Sequence, residues 1–346
     1  MPDVQFSQEG ALAHIRLNRP KAINALSLEM VHSISSALTS FAGDASIAAV
    51  LVTGEGERGL CAGGDIRALY EHRAEGPALG MQFFRDEYRM NAQIAAFPKP
   101  YIAIMDGITM GGGVGLSAHG SVRIVTERTR LAMPETGIGF FPDIGASWLL
   151  SHATGELGTY LALTGQTVTG ADAILAGLAD HFVSSAKVPA LLDALAQISL
   201  TATTDDINAL VQKSSVPAQP PLAALLEEIN QAFRFDDAKE IVGALKQSGT
   251  EFARATLDVM AQKSPTGIQV ALRLLRLARQ SKTLAECLQR EYAACNRVLS
   301  GDEFYEGVRA AVVDKDRQPK WHPTSLAGVT EAVVAAYFPA SAAQLF

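Results

Sequence analysis

Residues 100–116 read PYIAIMDGITMGGGVGL, an apolar run that ends in a glycine turn and is followed by a triple glycine. Upstream, residues 48–56 read AAVLVTGEG, a second apolar run that ends at glycine, and a helical segment at residues 77–97 separates the two. Short apolar runs bounded by glycine turns are typical of buried strands. The alternation of strand, helix and strand therefore predicts an α/β core.

The segments around this core also have regular patterns. Residues 4–17 predict two short strands joined by a turn, and residues 27–43 predict an amphipathic helix with Ser27 as its N-cap. After about residue 190 the strand signals fade, and leucine, alanine, glutamine and glutamate dominate. We therefore expect an α/β core at residues 1–190 and a mainly helical region at residues 191–346.

Composition limits the functions that the chain can have. The 346 residues are 48% hydrophobic with a net charge of −7, and no run of lysine and arginine suggests a nucleic-acid or membrane surface. Three scattered cysteines fit neither a disulfide framework nor a metal site, and the N-terminus lacks the features of a signal or transit peptide. We predict a cytoplasmic protein that binds neither nucleic acid nor membrane. The oligomeric state stays open, and a homo-oligomer is compatible with the sequence.

Two glycine clusters, LCAGGDI at residues 60–66 and GITMGGGVGL at residues 107–116, each follow a predicted strand. Glycine lets the backbone approach a ligand closely, and two N–H groups that converge on one oxygen form an oxyanion hole. Tight turns with close packing are the alternative. The chain contains neither a phosphate-binding glycine motif, nor the GxSxG of serine hydrolases, nor the HExxH of zinc hydrolases.

Carboxylates occur in two apolar settings. Residues 132–145, AMPETGIGFFPDIG, place Glu135 and Asp143 among glycine, proline and large apolar side chains. A helix over residues 81–97 would place Glu87 on one stripe with apolar neighbours. A buried carboxylate is costly unless it is paired or its perturbed pKa is used. The residues alone leave two interpretations open, a surface turn with a helix-boundary glutamate or a working pocket.

Five longer stretches resemble the enoyl-CoA hydratase/isomerase (crotonase) superfamily: LNRPKAINAL, LCAGGDIRAL, GITMGGGVGLSAHG, AMPETGIGFFPDIG and LALTGQTVTGADAILAGLADHFV. A sixth, EYAACNRVLSGDEFYEGVRAAVVDKDRQPKWHP, is similar to the C-terminal signature of the 3-hydroxyisobutyryl-CoA hydrolases within it. The resemblance runs from about residue 4 to residue 325. It implies the α/β class with a crotonase-like (ClpP/crotonase) spiral of ββα units, followed by a helical C-terminal region.

The resemblance also implies a substrate and a set of site residues. The substrate would be an acyl-CoA thioester whose carbonyl oxygen binds the backbone N–H groups of Gly64 and Gly112. Glu87, Glu135 and Asp143 match the acidic residues of the hydrolase acyl pocket. Glu135 would act as nucleophile or as base toward water, and Asp143 and Glu87 would orient the hydroxyacyl group or assist proton movement. No cofactor or metal is implied, because CoA is part of the substrate.

One residue departs from the hydratase pattern. Hydratases place a glutamate two residues after the triple glycine, and Gly115 stands there in this chain. Loss of one of two carboxylates that activate water removes a general acid/base partner worth about 10²–10⁴-fold in rate. This departure argues against hydration, and the resemblance to the hydrolases implies hydrolysis of 3-hydroxyisobutyryl-CoA, or of a close short β-hydroxyacyl-CoA, in valine catabolism. The alternatives are an enoyl-CoA hydratase or isomerase, and an acyl-CoA-binding or assembly protein that has the fold without the catalysis.

Overall fold

The computed structural model describes residues 2–339 and 343–346. The chain forms two compact units, each built from three stretches of sequence. The first unit comprises Met1–Gly64, Arg89–Ala132 and Thr167–Ala223, and the second comprises Asp65–Tyr88, Met133–Gln166 and Ala224–Phe346. The sequence analysis expected a different division, at residue 190, between an α/β core and a mainly helical region. That division stays a prediction.

Every strand of the described chain lies in the first unit. The strands are β1 Val4–Glu9, β2 Leu12–Leu17, β3 Ala49–Gly54, β4 Gly59–Cys61, β5 Tyr101–Met105, β6 Ile108–Met110, β7 Val122–Val125, β8 Arg130–Ala132 and β9 His181–Phe182. A six-stranded sheet has the order β1-β2-β3-β5-β7-β9, and a smaller sheet has the order β4-β6-β8. β1 and β2 form the predicted antiparallel hairpin, and the other pairs are parallel.

The strand order comes from three consecutive strand pairs. In each of the pairs β3–β4, β5–β6 and β7–β8, the first strand joins the large sheet and the second joins the small sheet. A helical segment follows each pair along the chain. The predicted α/β class is thereby confirmed, with the strand, strand, helix repeat that the resemblance implies.

The helices of the described chain dominate its C-terminal part. They are α1 Leu28–Gly43, α2 Ile66–Glu71, α3 Ala78–Ala95, α4 Gly112–Ser117, α5 Ala146–Ser151, α6 Leu157–Thr164, α7 Gly170–Leu175, α8 Val188–Leu195, α9 Thr204–Gln212, α10 Leu226–Phe233, α11 Ala238–Ser248, α12 Glu251–Met260, α13 Pro265–Ala278, α14 Leu284–Leu299, α15 Glu303–Val308 and α16 Glu331–Ala335. The predicted N-cap of α1 is confirmed, because the Ser27 Oγ accepts a hydrogen bond from the Met30 N–H. From α8 onward the described residues form helices and their connections, as expected.

Apolar packing explains the position of the large sheet in the first unit. All five residues of β5 and the first four of β3 are buried. Side chains of β2, β3, β5 and β7 pack with side chains of α8 and α9 in one cluster. A strand buried on both faces needs this continuous apolar sequence, which is the pattern that predicted β3 and β5. In the described part of the chain, no helix combines the length and apolar character needed to cross a membrane.

Candidate active site

The two glycine clusters meet in the first unit. β4 leads into Gly63 and Gly64, the neighbouring strand β6 leads into the triple glycine, and Gly112 is the first residue of α4. Gly63 has a φ of 110°, a conformation that favours glycine. A Cβ atom at residue 63 would lie 3.3 Å from the Met110 carbonyl oxygen and 3.7 Å from the Gly112 nitrogen. The two clusters named in the sequence analysis are therefore direct neighbours.

The start of α4 leaves backbone N–H groups without a partner in the helix. The first N–H groups of any helix lack an intrahelical acceptor, and Gly112 occupies the first position of α4. The next residue, Gly113, fixes this end of the helix, because a Cβ atom there would lie 2.4 Å from the Cys61 carbonyl oxygen. A side chain at residue 113 would push α4 away from β4. Glycine at that position thus keeps Gly112 beside the segment that contains Gly64.

Glu87, Glu135 and Asp143 form a buried cluster in the second unit. Glu87 lies on α3, Glu135 opens the short 3-10 turn Glu135–Ile138, and Asp143 precedes α5. The three residues are only 2%, 7% and 5% exposed. Their carboxyl groups interact electrostatically, since burial and then the Asp143 charge raise the pKa of both glutamates. The structure brings the three predicted acidic residues together, and the surface interpretation is wrong.

Aromatic side chains hold the loop that joins the last two of these residues. The Phe140 ring stacks on Phe141 with centroids 4.5 Å apart and on Phe84 of α3 at 5.2 Å. At the end of the loop, the Asp143 carbonyl oxygen accepts the Ala146 N–H at 2.8 Å. The carboxyl groups therefore project from a fixed turn into apolar surroundings, which makes their charged forms unfavourable.

The three carboxyl groups differ in their hydrogen bonds. Glu87 Oε1 and Glu135 Oε2 are buried and have no hydrogen-bond partner within the described part of the chain. Asp143 Oδ2, in contrast, accepts a hydrogen bond from the Tyr88 hydroxyl at 2.7 Å. Burial raises the pKa of Asp143 to about 7 and the Tyr88 bond opposes the rise, whereas burial raises the pKa of each glutamate well above its usual value. Among the described residues, the Tyr88 hydroxyl thus favours the charged form of Asp143 through a direct hydrogen bond.

The sequence analysis missed Lys263, which is half-buried beside the Glu135 turn. Its Nζ atom lies 3.5 Å from the position that a Cβ atom would take at Gly137, and 3.4 Å from the same position at Gly165. Burial lowers the pKa of Lys263, and the Glu135 charge opposes that shift. In return, Lys263 favours the charged form of Glu135. No local pattern signals this residue, because it lies more than a hundred residues after Glu135 in the sequence.

Glu291 on α14 was also missed, and it fixes the helix that follows Asp143. Its Oε2 accepts the Gly145 N–H at 2.7 Å, and its Oε1 accepts the Ser147 N–H at 3.0 Å. These N–H groups lie at the start of α5, where intrahelical acceptors are missing. Burial raises the pKa of Glu291 to about 8, and its hydrogen bonds oppose the rise. A helical projection of α14 could have singled it out as a glutamate on a buried stripe.

Comparison with known proteins identifies the family. The sequence profile of the family described as enoyl-CoA hydratase/isomerase matches residues 12–338. The chain belongs to this family. The resemblance stated from the sequence motifs is thereby confirmed, and the chain is a member of the crotonase superfamily.

Vertebrate relatives match the chain over most of its length. The protein named 3-hydroxyisobutyryl-CoA hydrolase, mitochondrial, of Danio rerio is 42% identical over 338 residues, which are 96% of this chain and 88% of the relative. The human protein of the same name is 39% identical over 335 residues, which are 95% of this chain and 86% of the relative. The similarity thus includes the helical C-terminal region as well as the α/β core.

Solved structures of this superfamily confirm the fold. A carnitinyl-CoA dehydratase from Mycobacterium thermoresistibile matches with a TM-score of 0.94 and 42% identity, covering 100% of this chain and 99% of that chain. An enoyl-CoA hydratase from Rhodobacter sphaeroides 2.4.1 matches with a TM-score of 0.90 and 38% identity, covering 97% of both. The crotonase-like fold with a helical C-terminal region is therefore confirmed. The names of the relatives, however, refer to different reactions: hydrolysis, dehydration and hydration.

The pKa of Asp143 generates a prediction about stability. Because the folded pKa of about 7 lies above the ordinary aspartate pKa of 3.8, the folded state binds more protons than the unfolded state between these two values. This residue therefore makes the free energy of unfolding fall as pH rises from about 4 to 7. Asp143→Asn, which retains an acceptor for Tyr88, should raise the free energy of unfolding by about 2–4 kcal/mol at pH 8 and much less at pH 4.

Urea unfolding of both proteins at the two pH values measures this difference. Asp193→Asn on α8 is the control, because it removes an exposed carboxylate and should leave the difference between pH values near that of the unmodified protein. An equal change for Asp143→Asn at both pH values would contradict the assigned ionisation of Asp143.

Proposed function

We propose that this protein hydrolyses 3-hydroxyisobutyryl-CoA, or a close short β-hydroxyacyl-CoA, to the free acid and CoA in valine catabolism. The main observation in support of this proposal is the buried cluster of Glu87, Glu135 and Asp143. Such a cluster contains both a nucleophile and a proton acceptor, which are the groups that thioester cleavage needs. The hydrolase name of vertebrate relatives about 40% identical over nearly the whole chain supports the same activity.

Each predicted site residue has a role in the proposed reaction. The N–H groups of Gly64 and Gly112 hold the thioester carbonyl oxygen and stabilise the negative charge that it gains. The Glu135 carboxylate attacks the carbonyl carbon, the C–S bond breaks, and the CoA thiolate leaves an acyl-Glu135 anhydride. Water opens the anhydride, and Asp143 or Glu87 accepts the proton of that water. The other mechanism assigns Glu135 as a base that deprotonates water, which then attacks the thioester.

The alternative function is that of an enoyl-CoA hydratase or isomerase. Two solved structures, one named as an enoyl-CoA hydratase and one as a carnitinyl-CoA dehydratase, match this chain at 38% and 42% identity. Against this alternative, Gly115 lies in the middle of α4 and provides no carboxylate. Without the second of two carboxylates that hold and activate water, hydration loses a main source of its rate.

Four further attributes belong to the proposal. CoA enters as part of the substrate, and the reaction uses no separate cofactor or metal. The protein has an acyl-CoA partner and binds neither nucleic acid nor membrane, in keeping with its net charge of −7. A homo-oligomer fits the proposal as well as a monomer does. The cytoplasmic location rests on the sequence features described above, and the vertebrate relatives are named mitochondrial.

The central expectation is that hydrolysis is faster than hydration. The purified protein should release free thiol from 3-hydroxyisobutyryl-CoA, and it should remove the enoyl-thioester absorbance of crotonyl-CoA much more slowly, because Gly115 replaces the second carboxylate. Comparison of the two kcat/KM values is the measurement. Faster hydration would establish the alternative function, and binding of both thioesters without turnover would identify an acyl-CoA-binding protein.

Gly112→Pro is expected to lower kcat about 10²–10³-fold, the loss typical of one oxyanion-hole donor. Proline removes the N–H but suits the first position of a helix, so that α4 can form. Gly112→Ala keeps the N–H and is the matched control. Circular dichroism must show that both variants fold. A folded Gly112→Pro enzyme with near-normal kcat would remove Gly112 from the oxyanion hole.

Glu135→Gln is expected to abolish turnover while acyl-CoA binding is largely kept, because the amide retains the shape of the carboxylate but cannot attack or accept a proton. Glu87→Gln is the matched comparison and should lower turnover less than Glu135→Gln does. Retained turnover in Glu135→Gln would transfer the central role to another residue.

A labelling experiment separates the two roles of Glu135. In a single turnover in H₂¹⁸O, anhydride opening at the enzyme carbonyl places the label in Glu135, whereas direct attack by water places it in the acid product. If water opens the anhydride at the acyl carbonyl, the label enters the acid product, as it does in direct attack by water. Hydroxylamine distinguishes these two cases, because it traps the anhydride as a Glu135 hydroxamate. If neither labelled Glu135 nor a Glu135 hydroxamate forms, Glu135 acts as a general base.

A further inference from the structure

Tyr88 lies behind the acidic cluster and touches two polar partners. It is fully buried on α3, and its hydroxyl oxygen lies 2.7 Å from Asp143 Oδ2 and 3.1 Å from the Cys295 Sγ on α14. Its ring is held by Phe84 and Tyr292, whose ring centroids lie 5.9 Å and 6.4 Å away. The hydroxyl group therefore has one fixed position beside the carboxyl group of Asp143.

The direction of these hydrogen bonds follows from the number of hydrogens. A neutral tyrosine hydroxyl has one hydrogen, and Asp143 accepts it. The Cys295 thiol must then donate to the Tyr88 oxygen, since burial raises the pKa of both Tyr88 and Cys295 and keeps both neutral. The result is a chain from the Cys295 S–H to Tyr88 and from Tyr88 to Asp143. Successive hydrogen bonds of this kind strengthen one another.

The remaining titratable groups around Asp143 offer no comparable hydrogen bond. Glu87 on α3 and Glu135 on its turn each have a buried oxygen without a partner among the residues that the structure describes. Glu291 on α14 is directed at the N–H groups of Gly145 and Ser147. Lys263 favours the charged form of Glu135 through its charge. Among the described residues, Tyr88 therefore differs from the other neighbours in donating a side-chain hydrogen bond directly to one carboxyl group of the cluster, that of Asp143.

We propose that Tyr88 is a positioning residue that keeps the resting negative charge of the cluster on Asp143, while Glu135 keeps its proton until substrate is bound. The catalytic consequence rests on the function proposed above. The placement of the charge does not, because it depends only on the hydrogen bonds within the second unit.

The protons of the proposed reaction balance with a single negative charge on the Glu135–Asp143 pair. Glu135 passes its proton to Asp143 and becomes the carboxylate that attacks the thioester carbonyl carbon. As the C–S bond breaks, Asp143 gives that proton to the CoA thiolate and regains its charge. Asp143 then accepts a proton from the water that opens the anhydride, and it returns this proton to the carboxylate that the opening releases, so that the resting charge is again on Asp143 and Glu135 is again protonated. The Asp143 side chain thus acts twice as base and twice as acid in one turnover.

Carboxyl ¹³C NMR of the complete protein tests the charge placement without any assay of activity. Protein labelled at the aspartate and glutamate side-chain carboxyl carbons is titrated, and Asp143→Asn and Glu135→Gln assign the two resonances. Asp143 should ionise at lower pH than Glu135. In Tyr88→Phe, the pKa of Asp143 should rise by about one to two units, the shift that corresponds to losing one hydrogen bond to a charged group.

Two further variants make the test specific to Tyr88. Tyr305→Phe removes another buried hydroxyl, which donates to the Leu299 carbonyl oxygen, and it should leave the Asp143 titration unchanged. Cys295→Ala removes the donor to Tyr88 and should raise the pKa of Asp143 by less than Tyr88→Phe does. If Tyr88→Phe does not fold, the order of ionisation in the unmodified protein and the Cys295→Ala shift decide the question.

The proposal is overturned if Glu135 ionises before Asp143, or if the Asp143 titration is the same in Tyr88→Phe as in the unmodified protein. For an enzyme shown to hydrolyse the thioester, the acid limb of kcat against pH should move to higher pH in Tyr88→Phe by the same amount, with KM little changed. A protein without hydrolase activity that shows the expected NMR shifts would refute the proposed function and leave the role of Tyr88 standing.

Discussion

Repulsion between the carboxyl groups of Glu87, Glu135 and Asp143, which share one apolar environment, is the main constraint on the second unit. Burial alone makes each charge unfavourable, and the Asp143 charge makes a second charge on Glu87 or Glu135 less favourable still. Such an arrangement costs stability, so it persists only where the surrounding structure holds it in place. The stacked phenylalanines of the 135–143 loop and the hydrogen bonds of Glu291 provide that support.

The first unit meets a different constraint, which is the close approach of two backbone segments, at Gly63 and at the start of α4. Side chains would prevent this approach, and glycine occupies the positions where the segments meet. Gly63 adopts a φ of 110°, and Gly113 leaves no room for a Cβ atom beside the Cys61 carbonyl oxygen. The glycines are therefore a packing requirement, as one of the two explanations weighed from the sequence has it, and the oxyanion hole stays a proposal.

Local periodicity predicted the elements that have a strong repeat and failed for those without one. The β1–β2 hairpin, α1 with its Ser27 cap, β3, β5 and the helical C-terminal region were predicted correctly, because each shows either alternation, helical spacing or a bounded apolar run. β4, β6 and β8 have three residues each, which is too short to give a periodic signal. Their strand conformation depends on pairing with one another, which only the tertiary structure provides.

The site shows the same division between local and distant information. Glu135 and Asp143 were conspicuous as carboxylates in an apolar segment, and Glu87 as a glutamate on an apolar helix stripe. Lys263, Glu291 and Cys295 act on the cluster from more than a hundred residues away in the sequence. The segments of Lys263 and Cys295 give no reason to select them, and only the buried stripe of α14 could have indicated Glu291. Tyr88 is adjacent to Glu87, but its hydroxyl group matters only because α14 and the Asp143 loop lie beside it.

Overall similarity does not decide between hydrolysis and hydration, because relatives named for each chemistry share the fold at about 40% identity with this chain. The decision depends on which side chains can carry charge in the site. α4 is buried throughout and has glycine at residue 115, so it supplies no carboxylate. Addition of water to a double bond then lacks one of the two groups that activate the water. Attack on a thioester needs only one carboxylate near a polarised carbonyl, since the thiolate leaves readily and a neighbouring carboxyl group can return its proton. The three clustered carboxyl groups of the second unit meet that smaller requirement, which favours hydrolysis over hydration as the proposed reaction.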